Sequence, residues 1–131
     1  MKALGKHVLA EFYNCDKVLI NDEKYTEELF ITAAKEAGAT VIKSAFHKFS
    51  PHGVSGVVVI SESHLTIHSW PEYGYCAVDV FTCGDLINND IVMQKLKEGL
   101  RAQSVSAAEL NRGILNAGVD TTQQQQAARA A

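Results

Sequence analysis

Short segments in which apolar and polar residues alternate predict a chain rich in β-structure. The predicted strands cover residues 7–13, 39–49, 54–61, 64–70, 75–83 and 104–110. Proline and glycine in residues 51–53 and 71–74 predict turns between neighbouring strands. Residues 57–60 are uninterruptedly apolar, which predicts a strand buried on both faces.

Two other segments repeat apolar residues at helical spacing. The first covers residues 22–36 and is followed by Gly38, a common helix stop. The second covers residues 90–100, and Asn88 or Asn89 can cap its first turn. The predicted order of elements is therefore β-α-β-β-β-β-α-β.

This order predicts an α+β fold with two layers. Consecutive strands joined by short turns pair antiparallel, and two amphipathic helices can cover one face of the resulting sheet. We expect the bare second face to attract a partner and therefore predict a homodimer. Residues 1–131 are interpreted as a single domain, and we expect residues 121–131, which contain a glutamine run, to be a frayed tail without an assigned role.

Composition restricts the classes of function. The chain has 131 residues, 47% of them hydrophobic, and a net charge of -3, which argues against nucleic acid as the main partner. No apolar run approaches the ~18 residues that a membrane span needs, and the first residues lack a signal-peptide core. Three cysteines without a C-x-x-C pair favour free thiols. We expect a cytoplasmic enzyme or binding module.

Reactive side chains are densest in residues 61–72, which contain two histidines, three serines, one threonine and two glutamates. The segment could simply be a half-buried strand with polar residues facing solvent. His64 and His68 would share one face of a helix and could bind zinc, but the segment has β character and no H-E-x-x-H pattern is present. A hydrolase triad is disfavoured because no G-x-S-x-G motif occurs.

Self-cleavage of the backbone is a further hypothesis for this segment. The hydroxyl of Ser63 would attack the carbonyl of Glu62, and β-elimination of the resulting ester would lead to a pyruvoyl group. His68 is the natural base and Ser55 a candidate donor. Strict strand alternation places Ser63 and His68 on opposite faces, so we expect a twist or bulge near Ser63. The spacing of these residues alone does not favour self-cleavage over the other interpretations of the segment.

The sequence also resembles a known family over most of residues 3–115. Residues 49–75, FSPHGVSGVVVISESHLTIHSWPEYGY, resemble the processing region of the small prokaryotic S-adenosylmethionine decarboxylases. Residues 77–84, AVDVFTCG, continue the resemblance. It also includes LGKH at residues 4–7 and EFYNCD at residues 11–16.

The resemblance implies self-cleavage between Glu62 and Ser63, giving a β chain of residues 1–62 and an α chain of residues 63–131. Ser63 becomes the pyruvoyl cofactor, with no metal, and forms a Schiff base with S-adenosylmethionine before carbon dioxide leaves. The decarboxylated product supplies aminopropyl groups for spermidine synthesis. Ser55 and His68 would serve self-cleavage, and Cys83 would be the proton donor for the substrate.

The resemblance further implies that Phe49 stacks on adenine, that Glu72 binds the ribose hydroxyls, and that two αβ units form a dimer. From the residues alone, Phe49 would be a core residue, Glu72 a solvated turn residue and Cys83 a small buried residue. One rival is a pyruvoyl-dependent arginine or ornithine decarboxylase, although Phe49 and Glu72 favour a nucleoside substrate. The other is an uncleaved α+β module that binds a ligand.

Overall fold

Six antiparallel strands form one sheet in the computed structural model, which describes residues 3–115. The strands are β1 (Ala3–Tyr13), β2 (Val41–Lys48), β3 (Val54–Ile60), β4 (Ser63–Trp70), β5 (Tyr75–Cys83) and β6 (Ser104–Ile114). The helices are α1 (Glu23–Glu36) and α2 (Asn89–Leu100), and two single 3-10 turns cover Leu19–Asn21 and Pro71–Tyr73. The predicted element order and the α+β class are confirmed. Across the sheet the strands lie in the order β2-β3-β4-β5-β1-β6.

Both helices begin at residues whose side chains cap the free backbone amides of the first turn. The carboxylate of Asp22 accepts a hydrogen bond from the Tyr25 amide at 2.9 Å. The side chain of Asn88 accepts hydrogen bonds from the amides of Asp90 and Ile91. Asn88 is therefore the cap of α2, which decides between the two candidates that the sequence offers.

The core lies between the helices and one face of the sheet. Its fully buried apolar side chains come from both layers and include Phe12, Phe30, Leu65, Ile67, Val80 and Leu96. Alternation along the strands supplies the sheet half of this core, since successive side chains point to opposite faces. The layer arrangement thus follows the periodicity of the sequence.

The second face of the sheet, here called the open face, is covered by no other element among residues 3–115. In β3, Val58 and Ile60 are buried in the core, whereas Val57 and Val59 point to the open face and are half-buried. The prediction that residues 57–60 are buried on both faces is therefore wrong for the single chain. The open face therefore carries half-buried apolar side chains in the single chain.

Strand ends are where the prediction deviates most. β1 begins four residues earlier and β6 ends four residues later than expected, because the extensions pair with each other, with Ala3 opposite Ile114. β6 is an edge strand whose side chains are almost all exposed, so its sequence carries little apolar alternation. Backbone pairing rather than burial sets its length.

The remaining sequence predictions concern termini, thiols and membranes. Residues 121–131, predicted to be a tail, lie outside the described residues. Cys15 and Cys76 are buried free thiols and Cys83 is a partly exposed one. Between residues 3 and 115 no helix has the length and hydrophobicity needed to cross a membrane.

Replacing Phe30 by alanine should destabilise the fold strongly. Phe30 is fully buried in α1 and its ring lies 6.2 Å from that of Phe46 in an edge-to-face arrangement. Removing a buried phenylalanine side chain costs about 3–5 kcal/mol of unfolding free energy. Urea denaturation followed by circular dichroism measures this loss. Leu86→Ala is the control, because Leu86 is 88% exposed and should change stability little; equal effects of both substitutions would contradict the assigned core.

Candidate active site

The turn between β3 and β4 contains an unusual backbone conformation. Glu62 has a φ of 72°, in the left-handed region that residues other than glycine adopt at a cost of about 1–3 kcal/mol. The turn is fixed by a 2.8 Å hydrogen bond from the Ser61 amide to the Thr40 carbonyl. Ser63 follows directly as the first residue of β4. The Glu62-Ser63 peptide bond therefore lies at a strained junction between turn and strand.

Ser63 contacts Cys83 from the neighbouring strand. The Ser63 Oγ atom lies 3.4 Å from the Cys83 Sγ atom, within hydrogen-bonding distance for sulfur. Cys83 is the last residue of β5 and is partly exposed, so its interpretation as a small buried residue is wrong. We call Glu62, Ser63 and Cys83 the cleavage cluster.

Ser55 and His68 form a second contact between polar side chains. They lie directly opposite each other in the β3–β4 pair, and Ser55 Oγ lies 2.8 Å from His68 Nδ1. The donor in this hydrogen bond depends on the tautomer of the imidazole. His68 is exposed on the open face. We call these two residues the distal pair.

The distal pair and the cleavage cluster lie at opposite ends of the same hairpin. Pairing runs without a shift from Ser55 opposite His68 to Ile60 opposite Ser63, so the expected bulge is absent from this strand. The irregularity near Ser63 is instead the left-handed backbone of Glu62. The Ser63 hydroxyl contacts Cys83, whose side chain alternates with the buried Thr82 and therefore lies on the open face. Five residues of extended strand separate His68 from Ser63, which corresponds to roughly 17 Å at about 3.3 Å per residue. One chain alone therefore does not bring the expected base to the serine.

Phe49 lies in the turn after β2, at the same end of the hairpin as the distal pair. It is 48% exposed, so its interpretation as a core residue is wrong. Its ring packs edge-to-face against His47, with 4.7 Å between the ring centroids. The Phe49 amide donates a 2.8 Å hydrogen bond to the Gly53 carbonyl, which closes the turn. About half of the surface of Phe49 is thus open to solvent and available to a ligand.

Glu72 lies in the 3-10 turn after β4, close to the turn that carries Phe49. Its carboxylate accepts a hydrogen bond from the imidazole of His52, with 2.8 Å between Oε2 and Nε2. A hydrogen bond to its own backbone amide, and then the bond from His52, hold the pKa of Glu72 below its usual value. The carboxylate therefore stays ionised and ready to accept hydrogen bonds.

The sequence interpretation missed a row of side chains on the open face near the cleavage cluster. Phe81 lies opposite both His7 and His64 in the sheet and contacts both rings, with centroids 5.2 and 5.6 Å away. Arg112 donates a 3.0 Å hydrogen bond to Nδ1 of His7. Burial, followed by the proximity of His7, lowers the pKa of His64. These contacts depend on the register between strands that are far apart in the sequence, so the local sequence does not predict this row.

Zinc binding by His64 and His68 on one helical face requires a helix, whereas residues Ser63–Trp70 form strand β4. His64 and His68 point to the same open face but are four residues apart, or roughly 13 Å along a strand. Across residues 3–115, no group of three or more histidine, cysteine, aspartate or glutamate side chains is arranged to hold a metal ion. The helical geometry on which that hypothesis depended is therefore absent from this segment.

Comparison with known proteins identifies the family to which this arrangement belongs. The family described as S-adenosylmethionine decarboxylase matches residues 6–113, most of the chain. The chain belongs to the S-adenosylmethionine decarboxylase family. The resemblance inferred from the motifs is thereby confirmed, as is the activity of a carboxy-lyase acting in polyamine biosynthesis. The assignment favours S-adenosylmethionine over arginine or ornithine as the substrate, and an enzyme over a module that only binds a ligand.

Individual relatives agree with the family assignment. The S-adenosylmethionine decarboxylase proenzyme of Clostridium tetani is 55% identical over 87% of this chain and 90% of its own length. That of Moorella thermoacetica is 56% identical over 88% of this chain and 92% of its own. The crystal structure of the adenosylmethionine decarboxylase from Aquifex aeolicus VF5 is 36% identical, with a TM-score of 0.83, covering 92% of this chain and all of that one.

Proposed function

We propose that this chain cleaves itself at the Glu62-Ser63 bond and decarboxylates S-adenosylmethionine with a pyruvoyl group made from Ser63. The observation that carries the proposal is the left-handed backbone of Glu62 directly before a serine whose hydroxyl lies 3.4 Å from Cys83. The proenzyme names of the relatives support it. Denaturing electrophoresis with intact mass tests it, since two chains of residues 1–62 and 63–131 are expected.

Self-cleavage begins with the Ser63 hydroxyl. Its Oγ atom bonds to the carbonyl carbon of Glu62, the bond from that carbon to the Ser63 nitrogen breaks, and the hydroxyl proton passes to the nitrogen, so that the amide becomes an ester with a free amine. A base then removes the Ser63 Cα proton, and the bond between Cβ and Oγ breaks to release the Glu62 carboxylate. Water hydrolyses the remaining dehydroalanine and releases ammonia, which leaves the pyruvoyl group. The strained backbone of Glu62 favours the first step, because breaking the amide bond relieves the left-handed conformation that the turn imposes.

The neutral imidazole of His68 is the proposed base, and Ser55 is proposed to donate a hydrogen bond to the developing oxyanion. Their 2.8 Å contact supports a joint role, because a hydroxyl bound to one ring nitrogen fixes the orientation of the other. Since roughly 17 Å of strand separates them from Ser63 in one chain, the proposal requires a second chain.

We therefore propose a homodimer in which the open faces of two chains meet around a two-fold axis. The axis lies between the two sheets and perpendicular to their strands, so the strands of the partner run in the reverse direction. The distal pair of one protomer therefore approaches the cleavage cluster of its partner. Large apolar side chains exposed on the open face support this surface as the interface. They are Leu9 at 38%, Tyr13 at 42%, Trp70 at 40% and Leu110 at 50% exposure.

The proposed substrate site lies beside the distal pair. Phe49 offers an exposed ring face on which adenine can stack, and the ionised Glu72 offers oxygens that can accept hydrogen bonds from both ribose hydroxyls. The methionine part of the substrate would then extend toward the partner's Ser63. A pyruvoyl group there supplies an electron sink for loss of carbon dioxide, and the proposed reaction uses no metal.

Cys83 is the proposed donor of the proton that replaces carbon dioxide on the substrate. Cys83→Ala should therefore still be cleaved, while the rate of decarboxylation falls by about 10²–10⁴-fold, as expected for loss of a general acid. Release of labelled carbon dioxide and analysis of the protonated product measure this effect. Cys76→Ala is the control, because Cys76 lies on the same strand but points into the core. Full activity of a cleaved Cys83→Ala enzyme would overturn this role.

A further inference from the structure

Three turns meet at the end of the hairpin that holds Phe49 and Glu72. The amide of Gly53 donates a 2.8 Å hydrogen bond to the side-chain oxygen of Asn21. The hydroxyl of Ser69 donates to the Ile20 carbonyl at 2.7 Å and accepts from the Val54 amide at 2.9 Å. These bonds fix the turn of residues 49–53 against both the 3-10 turn Leu19–Asn21 and the end of β4.

His52 lies in this fixed turn and reaches across to Glu72. Because a carboxylate only accepts hydrogen bonds, the Nε2 hydrogen of His52 is donated to Oε2 of Glu72 over 2.8 Å. Both side chains are 38% exposed, so solvent reaches the pair and the remaining lone pairs of the carboxylate. Without His52, the Glu72 carboxylate would keep only the hydrogen bond to its own backbone amide and would sample further rotamers on the surface turn.

The same turn supplies the aromatic ring of Phe49, three residues before His52. A ligand that stacks on Phe49 and hydrogen-bonds to Glu72 therefore touches one rigid turn and one side chain that this turn orients. The separation between the stacking ring and the carboxylate depends on His52. That separation has to match the separation between the base and the sugar hydroxyls of a nucleoside.

We propose that His52 is a positioning residue that orients the Glu72 carboxylate toward the ribose hydroxyls of the substrate. The inference rests on the proposed function of Phe49 and Glu72 and adds a residue that acts through Glu72 without touching the reacting atoms. Its contribution is preorganisation: a carboxylate held in place loses less conformational entropy when the substrate binds. His52 consequently affects substrate binding and leaves the chemical step unchanged.

The test compares His52→Ala and His52→Gln with the wild-type enzyme. His52→Ala should raise KM by about 2- to 12-fold, the effect of ordering one flexible side chain, with kcat unchanged. His52→Gln should restore the KM, since its amide also donates a hydrogen bond from a similar position. Lys48→Ala is the control, because Lys48 is an exposed residue before the same turn. An unchanged KM in His52→Ala would overturn the proposal.

A substrate analogue that lacks both ribose hydroxyls makes the test specific. The wild-type enzyme should bind it less well than S-adenosylmethionine, and His52→Ala should cause no further loss with the analogue. An equal loss with both substrates would overturn the proposal, because His52 would then support the turn in general. If the wild-type enzyme binds the analogue as well as S-adenosylmethionine, the proposed contact of Glu72 with the ribose is wrong as well. If the wild-type enzyme prefers S-adenosylmethionine but His52→Ala leaves the KM unchanged, only the role of His52 is wrong.

Discussion

Replacing Ser63 by alanine should leave a single full-length chain without decarboxylase activity. Alanine has no Oγ atom, so the Glu62-Ser63 amide cannot become an ester and the pyruvoyl group cannot form. We expect activity to fall to background, because the electron sink itself is missing. Denaturing electrophoresis, intact mass and carbon dioxide release measure the two losses on the same sample.

The matched control is Ser61→Ala, two residues earlier in the same turn. The turn uses the backbone amide of Ser61, whose hydrogen bond to the Thr40 carbonyl survives the substitution. Ser61→Ala should therefore be cleaved as completely as the wild-type chain. A Ser63→Ala protein that is still cut after residue 62 would contradict the chemistry, whereas loss of cleavage in both variants would place the cause in the turn and not in the Ser63 hydroxyl.

Two inactive variants should restore each other when they are expressed together. Ser63→Ala lacks the nucleophile and His68→Ala lacks the proposed base, so each alone should remain uncleaved. In a mixed dimer one site combines Ser63 of the His68→Ala chain with His68 of the Ser63→Ala chain. Random pairing makes half of the dimers mixed, each with one intact site, so cleavage and activity should reach about one quarter of wild type.

Different affinity tags on the two chains show which one is cleaved. The His68→Ala chain should be cut and the Ser63→Ala chain should stay intact. The control is a mixture of Ser63→Ala with Cys83→Ala, because Ser63 and Cys83 lie in one cluster of one chain. That mixture should not exceed the activity of Cys83→Ala alone. Failure of the first mixture to cleave, in isolated mixed dimers, would contradict the shared site.

The distal pair shows which features of the candidate site can be predicted from local sequence and which cannot. Residue chemistry identifies Ser55 and His68 as candidates, but their direct contact depends on the register of the β3–β4 hairpin. A two-residue turn at positions 61 and 62 sets that register and places Ser55 opposite His68. The sequence pattern does not locate this turn to the residue, so it does not predict the contact. Cap residues such as Asn88, by contrast, act within their own helix and are predictable from local sequence.

Other features depend on contacts between distant segments, which one sequence does not reveal. The position of β1 between β5 and β6 results from pairing across most of the chain, and it alone brings His7 next to Phe81. Phe49 is expected in the core from its hydrophobicity, yet it lies beyond the end of β2 and is half exposed. The resemblance of the motifs, and not residue chemistry, indicates its proposed role.

The chemical state of the α-chain N-terminus decides whether Ser63 becomes the pyruvoyl group. We expect the purified active protein to contain a chain beginning at position 63 with a pyruvoyl group, which reacts with a hydrazine and is blocked to N-terminal sequencing. The mass of this chain should match residues 63–131 with pyruvoyl in place of serine. Active protein that consists of an uncleaved chain, or of an α chain with serine at its N-terminus, would contradict the proposed self-cleavage.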